Sequence, residues 1–250
     1  MLNVEVCGRE KTLAQLKLIP VDRPERASDR GHGVSHHELA TGLLGEFQDR
    51  EIDVVGHRWA TDKTNQVLVG AIEVKFPEEF DVPEIAGMGY CLGVRHSNDL
   101  RYALVGAVGA RVFACSNGVI TGQFVMSRRH TKNIDLDEQI YNGITRFIRE
   151  ARGVSFFVDT LQERKLSDSD SDRILMEAGR QRLIPWSRIG RIDREYHNPS
   201  CEEFEPGNAW GLYNAFTRYV QLSPPHDQMR AIAGFRPVIL GEKPETYLGN

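Results

Sequence analysis

Asp53 and the tripeptide Glu73-Val74-Lys75 are the residues of this 250-residue chain whose types and spacing best suit chemistry. Two carboxylates at the ends of adjacent strands can hold a divalent ion through hard oxygen ligands, and a lysine two residues along a strand shares a face with the glutamate. Such a set can polarise a phosphodiester and activate water. A nuclease of this kind would use Asp53, Glu73 and Lys75 catalytically, with Asp53 and Glu73 as ligands of Mg²⁺ or Mn²⁺. The same residues equally suit an ordinary charged strand face. Outside the nuclease reading the sequence calls for no cofactor.

A second group gathers His96, Ser97, Asn98, Asp99, Arg111, Cys115 and Asn117. Read structurally, it is a buried polar network in which Arg111 pairs with Asp99 and Asn117 caps a turn. Read functionally, it is a groove where His96 and Arg111 meet an anion. A Cys115/His96 nucleophilic pair is the least favoured reading, because a cysteine inside a strand usually packs as a small hydrophobe. A third group is basic: Arg128, Arg129, His130 and Lys132 sit between a strand and a helix, and Arg182, Arg188 and Arg191 belong to an arginine-rich run from Arg173 to Arg194. Residues of this kind contact phosphates without reading sequence, and aromatic residues on a nearby sheet can stack bases. For Arg128, Arg129, His130 and Lys132 the alternative is a solvated loop. The acidic run from Asp168 to Asp172 lacks the glycine and distal glutamate of a calcium loop and suits a helix start instead. His36 and His37 diverge by about 100° on a helix, which argues against zinc.

The elements that must position these residues follow from local pattern. Ser35 with Glu38 reads as a capping box, Val34 with Leu39 as a hydrophobic staple, and Leu39, Leu43 and Phe47 as one face of a helix from about His36 to Gln48. Ile52–Trp59 and Gln66–Phe76, joined by a polar turn, read as an antiparallel hairpin. Residues 101–109 and 110–117 read as a further strand pair, with Ser116-Asn117-Gly118 turning into another strand. From about Asn133 the period becomes 3.6: a helix capped by Asp135 ends at Gly153, a second runs from Val154 to about Leu166, a third from about Asp172 to Arg182, and a fourth follows Gly207. Leu2–Cys7 reads as a short strand before a polar arm.

Strands before residue 133 and helices after it imply an α+β fold, an antiparallel sheet from the N-terminal half packed with helices mostly from the C-terminal half. One domain over 1–250 is expected, strand-rich in 1–132 and helix-rich in 133–250. About 40% hydrophobic content in a chain this long supports a core without staples. Four dispersed cysteines with no C-x-x-C pair point to a reducing compartment. No early segment resembles a leader and no run is long enough to cross a bilayer, so no membrane partner is expected. The net charge of −4 gives no global attraction to nucleic acid, which confines any such role to local basic faces.

The stretch from Gly89 to Thr131 resembles the phage- and plasmid-type proteins of domain-of-unknown-function family 932. It carries His96-Ser97-Asn98-Asp99, then Arg111-Val112 and Cys115-Ser116-Asn117, then Arg129-His130-Thr131. The likeness extends loosely from Val34 to Val220, including the aromatic stretch from Trp210. The tetrapeptide departs from the family's order, with His96 and Asn98 exchanged. The Asp53 and Glu73-x-Lys75 pattern also resembles the PD-(D/E)xK nuclease core, though no proline precedes Asp53. The first resemblance implies a mobile-element protein in the cytoplasm of a bacterial host, a setting where homo-oligomers are common. It implies no activity. The function expected is binding of nucleic acid, single- or double-stranded DNA, through His96, Arg111, Arg128, Arg129, His130, Lys132, Arg182, Arg188 and Arg191. The alternatives are the metal-dependent nuclease and a protein-interaction or virion-associated structural role.

Overall fold

Runs of small and β-branched residues between positions 53 and 128 build most of an antiparallel meander. A computed structural model describes residues 9–21, 33–85, 87–112, 118–129, 135–201, 204–220 and 225–242, without the side chains of 111, 112, 118–123, 225–227 and 229. Its six strands, β1 (Arg9–Lys11), β2 (Asp53–Thr61), β3 (Val67–Lys75), β4 (Met88–Ser97), β5 (Leu104–Val112) and β6 (Gly118–Arg128), lie side by side in chain order. The expected hairpin is β2–β3, closed by the Asp62 carboxylate, which accepts from the Gln66 and Val67 amides at 2.7 and 3.1 Å. The expected pair within 101–117 is instead one strand, β5, paired with β4 on one side and β6 on the other. Gly106 does not break it, because the Met126 side chain crosses where a β-carbon would sit. The irregularity that the glycines announce falls in the β5–β6 register. The expected strand at Leu2–Cys7 lies outside the described residues.

Strand registers assign the two faces of the sheet. Trp59, Leu68, Ile72, Leu92, Val94, His96 and Val108 share the face covered by the helices, while Val69, Ala71, Glu73, Cys91 and Arg95 share the other. Helix α1 (Leu13–Lys17) precedes α2 (His36–Asp49), whose Leu39, Leu43 and Phe47 are fully buried as the periodicity requires. Ser35 caps α2 by accepting from the Glu38 amide at 3.3 Å. Helix α3 (Leu136–Glu163), capped by Asp135, runs without interruption through Gly153. The apolar stripe explains this: Phe147, Ala151, Val154, Val158 and Leu161 stay in phase and buried, which outweighs the roughly 1 kcal/mol cost of one glycine.

Helices α4 (Asp168–Arg180), α5 (Trp186–His197), α6 (Ala209–Val220) and α7 (Pro225–Leu240) complete the chain. The acidic run is the first turn of α4, where Ser167 and Asp170 form a capping box, so the helix starts earlier than its apolar pattern suggests. Phe157, Tyr213, Phe216 and Phe235 interlock α3, α6 and α7, with the Phe216 and Phe235 rings stacked at 3.7 Å. Buried residues from both halves form one continuous cluster. Among the described residues no helix is long and apolar enough to cross a membrane.

Candidate nucleic-acid interface

Antiparallel register places Asp53 directly opposite Lys75, with Glu73 two residues away on the same face. The three residues therefore adjoin as the spacing requires, across a bulge between Val54 and Gly56. Asp53 and Lys75 are exposed and Glu73 is half-buried. Opposite charges at facing positions of neighbouring strands are ordinary on a sheet surface. Among the described residues no three histidine, cysteine or carboxylate side chains assemble as metal ligands.

The His96 group divides. Arg111 is opposite Gly89 at the start of β4, whereas His96 lies seven residues further along that strand, roughly 23 Å away at strand rise. His96 and Arg111 thus stand at opposite ends of the sheet and cannot grip one anion, and Arg111 cannot reach Asp99. Asp99 pairs with Arg101 instead. The Arg111 side chain, Cys115 and Asn117 lie outside the described set, as do His130 and Lys132.

His96 itself is fully buried rather than presented to solvent. Its Nε2 meets Nδ1 of His36, the first residue of α2, at 2.6 Å. His36 Nε2 lies 3.0 Å from the Asn65 carbonyl, which can only accept, so in the neutral pair His36 carries its proton on Nε2 and accepts from His96. Burial lowers the His36 pKa, opposed by the Asn65 hydrogen bond and the Asp62 charge. Ser97 Oγ exchanges hydrogen bonds with the Tyr102 backbone, and Asn98 reaches the Pro20 carbonyl. This end of the sheet ties α2, the β2–β3 turn and the residues after β4 into one buried polar network, the structural reading of the tetrapeptide. His36, 60 residues from His96, carries no sequence signal for the pairing.

The basic residues occupy two places. Arg128 and Arg129 are exposed at the end of β6, where Arg128 donates to Gln139 of α3 at 2.9 Å. Arg182, Arg188 and Arg191 belong to α5 and the turn before it. Arg188 is half-buried and donates to the Tyr219 carbonyl at 3.1 Å, while Arg182 and Arg191 are exposed.

Beside this turn a cavity of about 410 Å³ is lined by Gly179, Arg182, Leu183, Ile184, Pro185, Trp186, Arg230 and Ala231. Trp186 is 53% exposed although it is among the largest side chains. Its benzo edge rests on Gly179, where an added β-carbon would lie 2.9 Å from Trp186 Cζ3 and from Ile189 Cδ1. Arg182 has a left-handed backbone, φ 56°, in the C-terminal reversal of α4, a place that glycine fills at lower cost. Arg182 and Arg230 are exposed, and neither makes an ion pair among the described residues. Helix α5 starts here with Pro185 as its N-cap and no acid in its first turn, so no carboxylate of that turn offsets the positive end of its dipole. Trp186 and Arg230 were not singled out by spacing. The available signal was a tryptophan directly after a proline in an arginine-rich run.

The fold and this face define an α+β protein with a meander sheet and a helical layer that carries a cationic, tryptophan-walled cavity. No family model, curated protein or solved structure matches the chain.

Proposed function

We propose that the protein binds nucleic acid through the face formed by α4, α5 and α7, in the phage or plasmid setting that the likeness of Gly89–Thr131 implies. One observation carries this reading: two exposed arginines without ion pairs among the described residues, Arg182 and Arg230, flank a cavity whose wall is the exposed ring of Trp186. Cations beside an aromatic ring suit the two chemistries of a nucleotide, its phosphate charge and its base.

Arg128 and Arg129 extend the reading as additional phosphate contacts from the end of β6. Filter binding of single- and double-stranded DNA over a salt series tests the proposal. Affinity is expected to fall linearly on a log–log plot as salt rises, and Arg182→Glu with Arg230→Glu is expected to weaken it strongly. Binding that is absent, or that ignores salt and both substitutions, rejects it.

A further inference from the structure

We infer that the cavity beside Trp186 takes one unstacked nucleobase, which makes a single strand the preferred substrate of the interface. The inference rests on the nucleic-acid reading above and adds to it the form of the ligand.

The walls divide by chemistry. Leu183, Ile184, Pro185 and Ala231 give an apolar lining, Trp186 gives a ring, and Arg182 and Arg230 bring positive charge. Every base has a π-face that an indole can stack against, and the phosphates on either side of that base carry the charge that the arginines take. The volume of about 410 Å³ is at the small end of the range for ligand pockets, suited to a single ring system and its sugar. A duplex base has both faces covered by its neighbours and its edge paired. It can enter only after unstacking and unpairing, a cost that a single strand avoids.

The cavity is also held open by its own packing. Trp186 rests on Gly179, and Leu183 lies against Gly234 of α7, where an added β-carbon would be 2.4 Å from Leu183 Cδ2. Neither wall residue can shift toward its helix, so the base meets a preformed slot and little ordering is needed on binding.

The test uses the full chain and three probes of equal phosphate count: a short oligothymidine, the same strand made abasic throughout, and a hairpin duplex. Anisotropy gives affinity, and tryptophan emission reports the cavity, because Trp59 and Trp210 are buried. Oligothymidine is expected to bind more tightly than the other two and to quench emission. Trp186→Ala is expected to weaken oligothymidine binding by roughly 5- to 150-fold, the span of one stacked base, and to leave the abasic strand unaffected. Trp186→Phe is expected to restore most of the loss. Should Trp186→Ala fail to fold, the comparison of oligothymidine with the abasic strand on the unsubstituted protein decides alone. Equal, salt-sensitive affinity for all three probes overturns this inference and leaves the nucleic-acid reading standing. No binding to any probe removes both.

Discussion

If the proposed function holds, Arg182→Gly is expected to raise the stability of the fold and to weaken nucleic-acid binding at the same time. The backbone of Arg182 is left-handed, φ 56°, and its amide and that of Leu183 turn back onto the Gly179 and Ala178 carbonyls at 3.0 Å each, closing the end of α4. Holding an L-residue there costs about 1–2 kcal/mol, and the larger conformational entropy that glycine loses on folding returns about 0.5–1 kcal/mol. The side chain is exposed and makes no ion pair among the described residues, so removing it forfeits no buried contact. The net gain is roughly 1 kcal/mol, readable as a higher urea midpoint at unchanged slope. In binding, the loss of one phosphate contact reduces the slope of log K against log salt by about 0.7 for a single strand. Stability and affinity therefore move in opposite directions. A variant that is less stable would refute the strain argument, and an unchanged salt slope would remove Arg182 from the interface.

His36 supplies a pH dependence of definite sign. Burial depresses its folded pKa below 6.5, so the unfolded chain takes up the proton first. Stability is then full above about pH 6.5 and falls by up to about 1.4 kcal/mol per pH unit below it, until the folded histidine also titrates. Urea midpoints measured downward from neutral pH read this slope, and His36→Gln flattens it; a slope that survives the substitution shows that another group is responsible. Gly70→Ala tests the packing of the sheet: the added β-carbon would stand 2.2 Å from Trp59 Cε3 and Cζ3, beneath a ring that is 1% exposed. The crowding costs about 1–3 kcal/mol or more in a thermal or urea melt, and an unchanged midpoint would mean that the indole has room to move.

How much of this was legible in the sequence depends on whether a residue's partner is near it in the chain. Leu39, Leu43 and Phe47 give a helix because the helical period alone decides which face is buried. The β2–β3 hairpin is equally plain, with its turn set by Asp62. Helix α5 was hidden because only Ile192 and Tyr196 are buried along it, too few to mark an apolar stripe within an arginine-rich run. Helix α7 was hidden by its prolines, Pro225 at the first position and Pro237 within it. The cavity unites α5 with residues from α4 and α7, so no single segment carries its pattern. Spacing likewise gave Asp53, Glu73 and Lys75 their shared face, but could not say that the His96 and Arg111 positions stand at opposite ends of β4, because strand register is a tertiary fact.

The most motif-like segment of the chain and the segment best placed to meet a ligand are consequently different. Ser97 and Asn98 are buried with His96, and a buried polar group left without its partner costs about 1–3 kcal/mol, so this tetrapeptide is constrained by the fold around it whatever the protein binds. The helical layer has no such constraint at Arg182, Trp186 and Arg230, whose side chains face solvent. The overall charge of −4 bears on this division as well. Fields beyond about 10 Å are screened at ordinary salt, so distant acids do not cancel a local pair of arginines, but neither does the molecule as a whole draw an anionic strand toward it. Binding at this face would gain its strength from short-range contacts made after encounter, and its association rate would lack the long-range acceleration of a strongly basic protein.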